Sequence, residues 1–229
     1  MAAPEFPDCC FSGHTIMISA QPDLVLLFTR YPEPGRCKTR LIPALGRDGA
    51  ARLHQEMTDR ILTQLTRLAA IHPHLLEIHH DGGTEDQMRS WLGADRHYRP
   101  QGDGDIGCRM QAAISRHLGR VRRLILIGSD CPDLTADIME EAFMALTTHD
   151  LVLGPAFDGG YYLIGTRQES SSIICHTLFQ DIHWGTESVY PTTITRAEQH
   201  RLRCHTLTRL HDIDTPADLR HLHHHPHPE

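Results

Sequence analysis

Short, unbroken apolar runs alternate along this chain with longer amphipathic stretches, and that rhythm leaves few folds open. Leu24–Phe28 and Leu124–Ile127 are apolar at every position, the pattern of strands buried on both faces. Between them, Asp48–Ala70 places Leu53, Met57, Ile61, Leu65 and Leu68 at helical spacing. The same reading predicts further strands at Leu75–His80, His97–Arg99, Asp150–Gly154, Gly160–Gly165 and Leu202–Leu207. It predicts helices at Thr84–Leu92, Ile106–Leu118, Thr135–Leu146, Glu187–His200 and Thr215–Leu222. Thr84 and Thr135 are expected as N-caps, and Pro216 suits the first turn of the last helix. Strands alternating with helices imply an α/β domain: a mostly parallel sheet with helices on both faces.

The chain has 229 residues, and neither a linker nor an internal repeat divides its middle, so a single domain over 23–222 is expected. Residues 1–22 mix Pro, Ser and Gly without periodicity and read as an extension, within which Met17 could serve as a start; residues 223–229 read as a His- and Pro-rich disordered tail. The apolar runs fall well short of the ~20 residues that span a bilayer. A formal net charge of −7 argues against broad nucleic-acid binding. The seven cysteines are odd in number and form no C-x-x-C, and the N-terminus lacks the charged and apolar regions of a secretory signal, so a reducing, cytoplasmic setting is expected.

Ligands of open α/β sheets sit at the carboxyl ends of strands, so chemistry is sought in the loops that follow them. After the first strand, Arg30–Arg40 forms a loop shaped by two prolines and a glycine that holds Arg30, Arg36, Lys38 and Arg40, a density of cationic donors suited to phosphate. It is not a Walker loop. After the strand at Leu124, Gly128-Ser-Asp-Cys-Pro-Asp133 offers Asp130 as a ligand for Mg²⁺ or Mn²⁺, while Asp133 equally suits a helix cap and Cys131 has no evident partner for nucleophilic work. In His211–Leu219, Thr215 and Asp218 are accounted for by a helix start; Asp212 and Asp214 are not, and Asp214 is taken as the second metal contact. Asp158-Gly-Gly presents a carboxylate beside glycines that permit positive φ or the close approach of a ligand. Gln101–Met110 is a glycine-rich loop entering a helix, suggestive of a nucleotide contact. The nineteen histidines are mostly isolated, and the cluster at His221, His223, His224, His225 and His227 suits adventitious metal binding.

Six segments occur together and in order: RYPEPGRCKTRL, QGDGDIGCRM, LIGSDCPDL, VLGPAFDGGYYLIG, IHWGTE and DIDTPADL. With them the chain, from about Leu24 to Leu219, resembles small bacterial GT-A-type glycosyltransferases associated with arsenosugar biosynthesis, a branch of the nucleotide-diphospho-sugar transferases. The resemblance implies a Rossmann-like sheet and a metal-bound nucleotide. It puts Asp130 in the place of the metal-binding Asp and Asp214 in that of a closing metal ligand. Lys38 and Arg40 then correspond to a phosphate-gripping loop and Gln101 to a base-contacting one. Two departures stand out: Asp130 is followed by Cys131 and Pro132 rather than completing a D-x-D, and the first loop is proline-rich, with only Gly35.

The resemblance implies transfer of a sugar from a nucleotide-diphosphate donor to a small acceptor, with Mg²⁺ or Mn²⁺ on Asp130 and Asp214. Lys38 and Arg40 would stabilise the departing phosphate, and Asp158 would act as base. The alternative is a nucleotidyltransferase in which a phosphorylated acceptor attacks an NTP and pyrophosphate leaves. A third reading is a non-catalytic nucleotide-binding protein on the same fold.

Overall fold

A computed structural model describes residues 21–222; residues 1–20 of the expected extension and the whole tail 223–229 lie outside the described residues. Seven strands form one sheet: β1 (Asp23–Arg30), β2 (Leu75–Asp81), β3 (His97–Pro100), β4 (Arg123–Gly128), β5 (Leu151–Pro155), β6 (Tyr161–Arg167) and β7 (Cys204–Thr206). Their order is β3-β2-β1-β4-β6-β5-β7. Only β6 runs antiparallel, to both β4 and β5. The reason is local: the stretch from Ala156 to Gly160 is too short for the crossover that a parallel pair requires, so β5 and β6 form a hairpin.

Six helices cover the two faces: α1 (Ile42–Ile71), α2 (Glu85–Leu92), α3 (Ile106–Ser115), α4 (Ala136–Ala145), α5 (Gln168–Thr177) and α6 (Val189–Gln199). Along β1, Val25 and Leu27 pack on one side with Ile61, Leu65 and Leu68 of α1 and with Met139 and Phe143 of α4. Leu24, Leu26 and Phe28 pack on the other with Met110 and Ile114 of α3, Ile174 of α5 and Ala197 of α6. Both faces of β1 are dry, which is why its sequence does not alternate.

Each expected strand forms, within a few residues of its expected bounds. Thr84 and Thr135 cap α2 and α4 as their positions imply, each accepting a backbone N–H three residues on. Three features differ from expectation. Helix α1 begins at Ile42 and is interrupted at Gly46, where φ is 70°. Helix α5 has no counterpart in the sequence reading. The final helix is a 3-10 turn over Pro216–His221, in which the Asp218 carboxylate accepts the backbone N–H groups of Asp214 and Thr215 as well as the Thr215 hydroxyl.

Candidate active site

The carboxyl ends of β1, β2 and β4 and the start of antiparallel β6 open into a cleft of about 440 Å³. Its wall includes Arg30, Lys38, His54, Asp81, Gln101, Arg109, Asp130 and Asp214. The loop after β1 folds back on itself: Gly35 takes a positive φ, and Arg30 Nη1 donates to the Arg36 carbonyl at 3.0 Å. The loop ends at Lys38, whose backbone is left-handed at φ 46°, a conformation uncommon outside glycine. That turn sends the lysine side chain inward, where it is 5% exposed.

Lys38 Nζ lies 2.9 Å from Asp130 Oδ1 and 3.7 Å from Asp214 Oδ1, and it donates to the Ile213 carbonyl at 2.7 Å. Ile213 also donates its N–H to the Asp130 carbonyl at 3.0 Å, so the loop after β4 and the 211–214 segment are stitched together at one residue. Burial works against the charge on Lys38, but Asp130 and then Asp214 and Asp212 outweigh it and hold the ammonium above its ordinary pKa. Desolvation likewise opposes ionisation of Asp130, and the neighbouring Lys38 ammonium brings its pKa below the usual value. Arg40 reaches Asp214 from outside, 2.9 Å between Nη1 and Oδ2, with a largely exposed side chain.

A second cavity of about 310 Å³ adjoins the first, sharing Asp130, Tyr161, Tyr162 and Asp214 with it and adding Asp158, Trp184, Thr186 and Asp212. Helix α3 makes room for this wall with Gly107: a Cβ there would fall 2.3 Å from the Trp184 ring. Asp158 holds its own turn by accepting the Gly160 N–H at 2.8 Å. Burial, followed by the charge of Asp158, pushes the Asp212 carboxyl up to about 6.

The residues singled out in the sequence therefore divide by position. Arg30, Lys38, Gln101, Asp130 and Asp214 line one cleft, and Asp158 lines the adjoining cavity. Arg36 points elsewhere, its exposed guanidinium paired with Glu33 at 3.1 Å. Gln101 is buried and uses its amide N–H groups on the carbonyls of Thr29 and His79, so it joins β1 to β2 at the cleft floor.

Three site residues were not singled out from the sequence, Asp81, Arg109 and His54, while Asp212 was left open there beside Asp214 and lines the adjoining cavity. Asp81 closes β2 and takes Arg30 at 2.5 Å and Arg109 at 3.4 Å, holding two guanidinium groups over the cleft. Its place at a strand end was the available signal, as was Arg109's place within the QGDGDIGCRM segment. His54 sits on the apolar stripe of α1. Its Nε2–H donates to the Arg30 carbonyl at 2.9 Å, which leaves Nδ1 as an acceptor 3.9 Å from Asp130 Oδ1 with no hydrogen-bond partner. Burial keeps this imidazole below its ordinary pKa.

Elsewhere, Glu77, His79 and His117 bring potential metal-ligand atoms within 4.8 Å of one another beneath α3. None of them lines the cleft, and Arg99 lies 2.8 Å from the same carboxylate, balancing its charge. No helix among the described residues is long and apolar enough to cross a membrane.

The profile of a family described as uncharacterized proteins conserved in bacteria, DUF2064, matches residues 62–186. No curated protein matches the sequence significantly. Among solved structures, the chain is similar to a candidate nucleotide-diphospho-sugar transferase from Desulfovibrio desulfuricans G20, with 35% identity, a TM-score of 0.80, and 88% and 86% of the two chains covered. It is similar in fold to 4-diphosphocytidyl-2C-methyl-D-erythritol synthase from Anaerococcus prevotii DSM 20548, at 10% identity and TM-score 0.57, covering 91% and 97%. A third likeness is glucosyl-3-phosphoglycerate synthase from Mycobacterium tuberculosis in complex with Mn²⁺, UDP and glucosyl-3-phosphoglycerate, at 11% identity and TM-score 0.53, covering 88% and 75%.

Proposed function

We propose, from the premise that this chain belongs to the DUF2064 family of bacterial proteins, that it is a divalent-metal-dependent glycosyltransferase using a nucleoside-diphosphate sugar as donor. The observation that carries this reading is the junction of a basic cleft with an acidic cavity at Asp130 and Asp214. Arg30 and Arg109, held by Asp81, face the diphosphate with planar donor forks, and Lys38 reinforces them as charge develops on the leaving phosphate. Asp130 and Asp214, with Asp212 and Asp158 nearby, form a set of hard oxygen donors that fits Mg²⁺ or Mn²⁺. A cation held there would neutralise the diphosphate of the leaving nucleotide. Asp158 and Asp212 face the adjoining cavity, where an acceptor hydroxyl would meet a carboxylate able to take its proton. The related Mn²⁺- and UDP-bound synthase supports this choice of cofactor and donor.

The test is a panel of nucleoside-diphosphate sugars, and separately of NTPs with sugar phosphates, each with Mg²⁺ or Mn²⁺. Release of a nucleoside diphosphate, lost in Asp130→Asn, is the expected result. Pyrophosphate release that depends on a sugar phosphate would replace this reading with nucleotidyl transfer. Nucleotide binding with no turnover on either panel would replace it with a binding protein.

A further inference from the structure

Lys38 is the only lysine in the chain; every other basic residue among its 22 lysines and arginines is an arginine. Within a sequence that uses arginine everywhere else, one position holds an ammonium. It is also a buried position, turned inward by a left-handed backbone. The ammonium has three oxygen neighbours: Asp130 Oδ1 at 2.9 Å, the Ile213 carbonyl at 2.7 Å and Asp214 Oδ1 at 3.7 Å. Two carboxylates and a carbonyl around a compact point charge make the surroundings of a hard metal ion. An arginine could not take this place, because its flat fork spreads the charge over five donors. Arg40, which does approach Asp214, stays outside with an exposed side chain.

We propose that Lys38 is the resident cation of the Asp130–Asp214 site, and that a divalent ion binds only by displacing its ammonium from between the two carboxylates. This rests on the metal-dependent reading given above. The released side chain is then free to turn to the phosphates that arrive with the metal. The consequence is an ordered site: without metal the carboxylates are neutralised from within, and Lys38 reaches the donor only once a cation has taken its place. The exchange also keeps Asp130 and Asp214 neutralised in both states, so that the two like charges do not face each other without a cation between them.

Mn²⁺ binding is measured by isothermal titration calorimetry on the full-length chain and on Lys38→Met, Arg40→Met and Asp130→Asn, with Tm recorded for each. Removing a competitor should tighten binding: Lys38→Met is expected to gain about tenfold or more, within the usual range for coupled sites. Arg40→Met removes the same charge without vacating the site and is expected to gain much less. Asp130→Asn should lose the site. A Lys38→Met gain no larger than that of Arg40→Met, with wild-type binding still dependent on Asp130, overturns the exchange while leaving the metal reading in place. Absence of Mn²⁺ binding in both the wild type and Lys38→Met overturns both together. Should Lys38→Met not fold, the unaltered chain decides the matter. Because Lys38 is the sole lysine, reductive methylation followed by peptide mass spectrometry reports on it alone. Labelling should be slow without metal and faster with saturating Mn²⁺; a rate unchanged by bound Mn²⁺ overturns the proposal.

Discussion

At Gly159 the backbone takes φ 91°, and a Cβ added there would lie 2.2 Å from the Glu187 Cα. The glycine is therefore required by the protein's own backbone, which crosses the turn behind Asp158 and bonds Tyr190 N–H to the Gly159 carbonyl. Gly159→Ala should cost about 1–3 kcal/mol through strain and overpacking. It should also reduce turnover by shifting Asp158; urea unfolding and steady-state kinetics check the two effects separately. Asp130 is a different kind of residue. Its side chain is 52% exposed, and its backbone, which ties it to Ile213, is untouched by substitution. Asp130→Asn is expected to lower kcat by at least about 10²-fold, as loss of a charge-stabilising group does. It should also lower Tm modestly, because the buried Lys38 ammonium loses its nearest carboxylate but keeps Asp214 and the Ile213 carbonyl. A large fall in Tm would mean that Asp130 serves the fold instead.

Among the elements, β1 is tied down at its first residue. Asp23 is buried and receives Arg123 of β4, Arg122 and, at 2.8 Å, His72 after α1. Burial opposes the charge on Asp23, but these three partners bring its pKa down to about 2. Asp23→Ala would strand a buried guanidinium and should cost about 3–5 kcal/mol, measurable by denaturant unfolding. The caps act on a smaller scale. Thr84 and Gln87 satisfy each other's backbone N–H groups at the start of α2, and Thr84→Ala is expected to cost about 1 kcal/mol. Such caps are legible in sequence because they need only neighbours along the chain. Helix α5 was not legible: its N-cap position, Arg167, makes no side-chain cap bond, and serines fill its first turns. It is held by burying Ile174 and Cys175 in the core shared with α3.

At the scale of the molecule, burial lowers the pKa of four histidines among the described residues: His54, His74, His117 and, to about 4, His79. Each stays neutral in the folded state at a pH where the unfolded chain, with an ordinary value near 6.5, takes up a proton. Their contribution to stability is therefore fully present above about pH 6.5 and is lost as pH falls through their lowered folded-state values, for His79 toward about 4. The depressed Asp23 and Asp150 add a second loss, from the ordinary carboxylate value down toward about 2. Urea midpoints between pH 7.5 and 4.5 should fall, by less than the four histidines alone would give because Asp212, raised to about 6, gains stability over part of the same range. His79→Phe, which keeps a ring stacked on Phe28, should flatten part of that slope. A midpoint independent of pH across this window would contradict the buried, neutral assignment.

Sequence alone determined the layered α/β fold and the strand ends where chemistry gathers. Unbroken apolar runs, helical spacing and cap residues act over a few neighbouring positions and so leave a local trace. It also picked out Lys38, Asp130 and Asp214, because strand-following charged residues in a parallel sheet have few structural uses. Only the tertiary structure decided that Arg36 turns to Glu33, that Gln101 spends its amide on two strand carbonyls, and that His54 of α1 faces Asp130. These are contacts between segments far apart in the chain, and their geometry depends on how whole elements pack. The same holds for Lys38: its place in a basic loop after β1 could be read from the sequence, but its seat between two carboxylates about 90 and 175 residues away exists only once the sheet has closed.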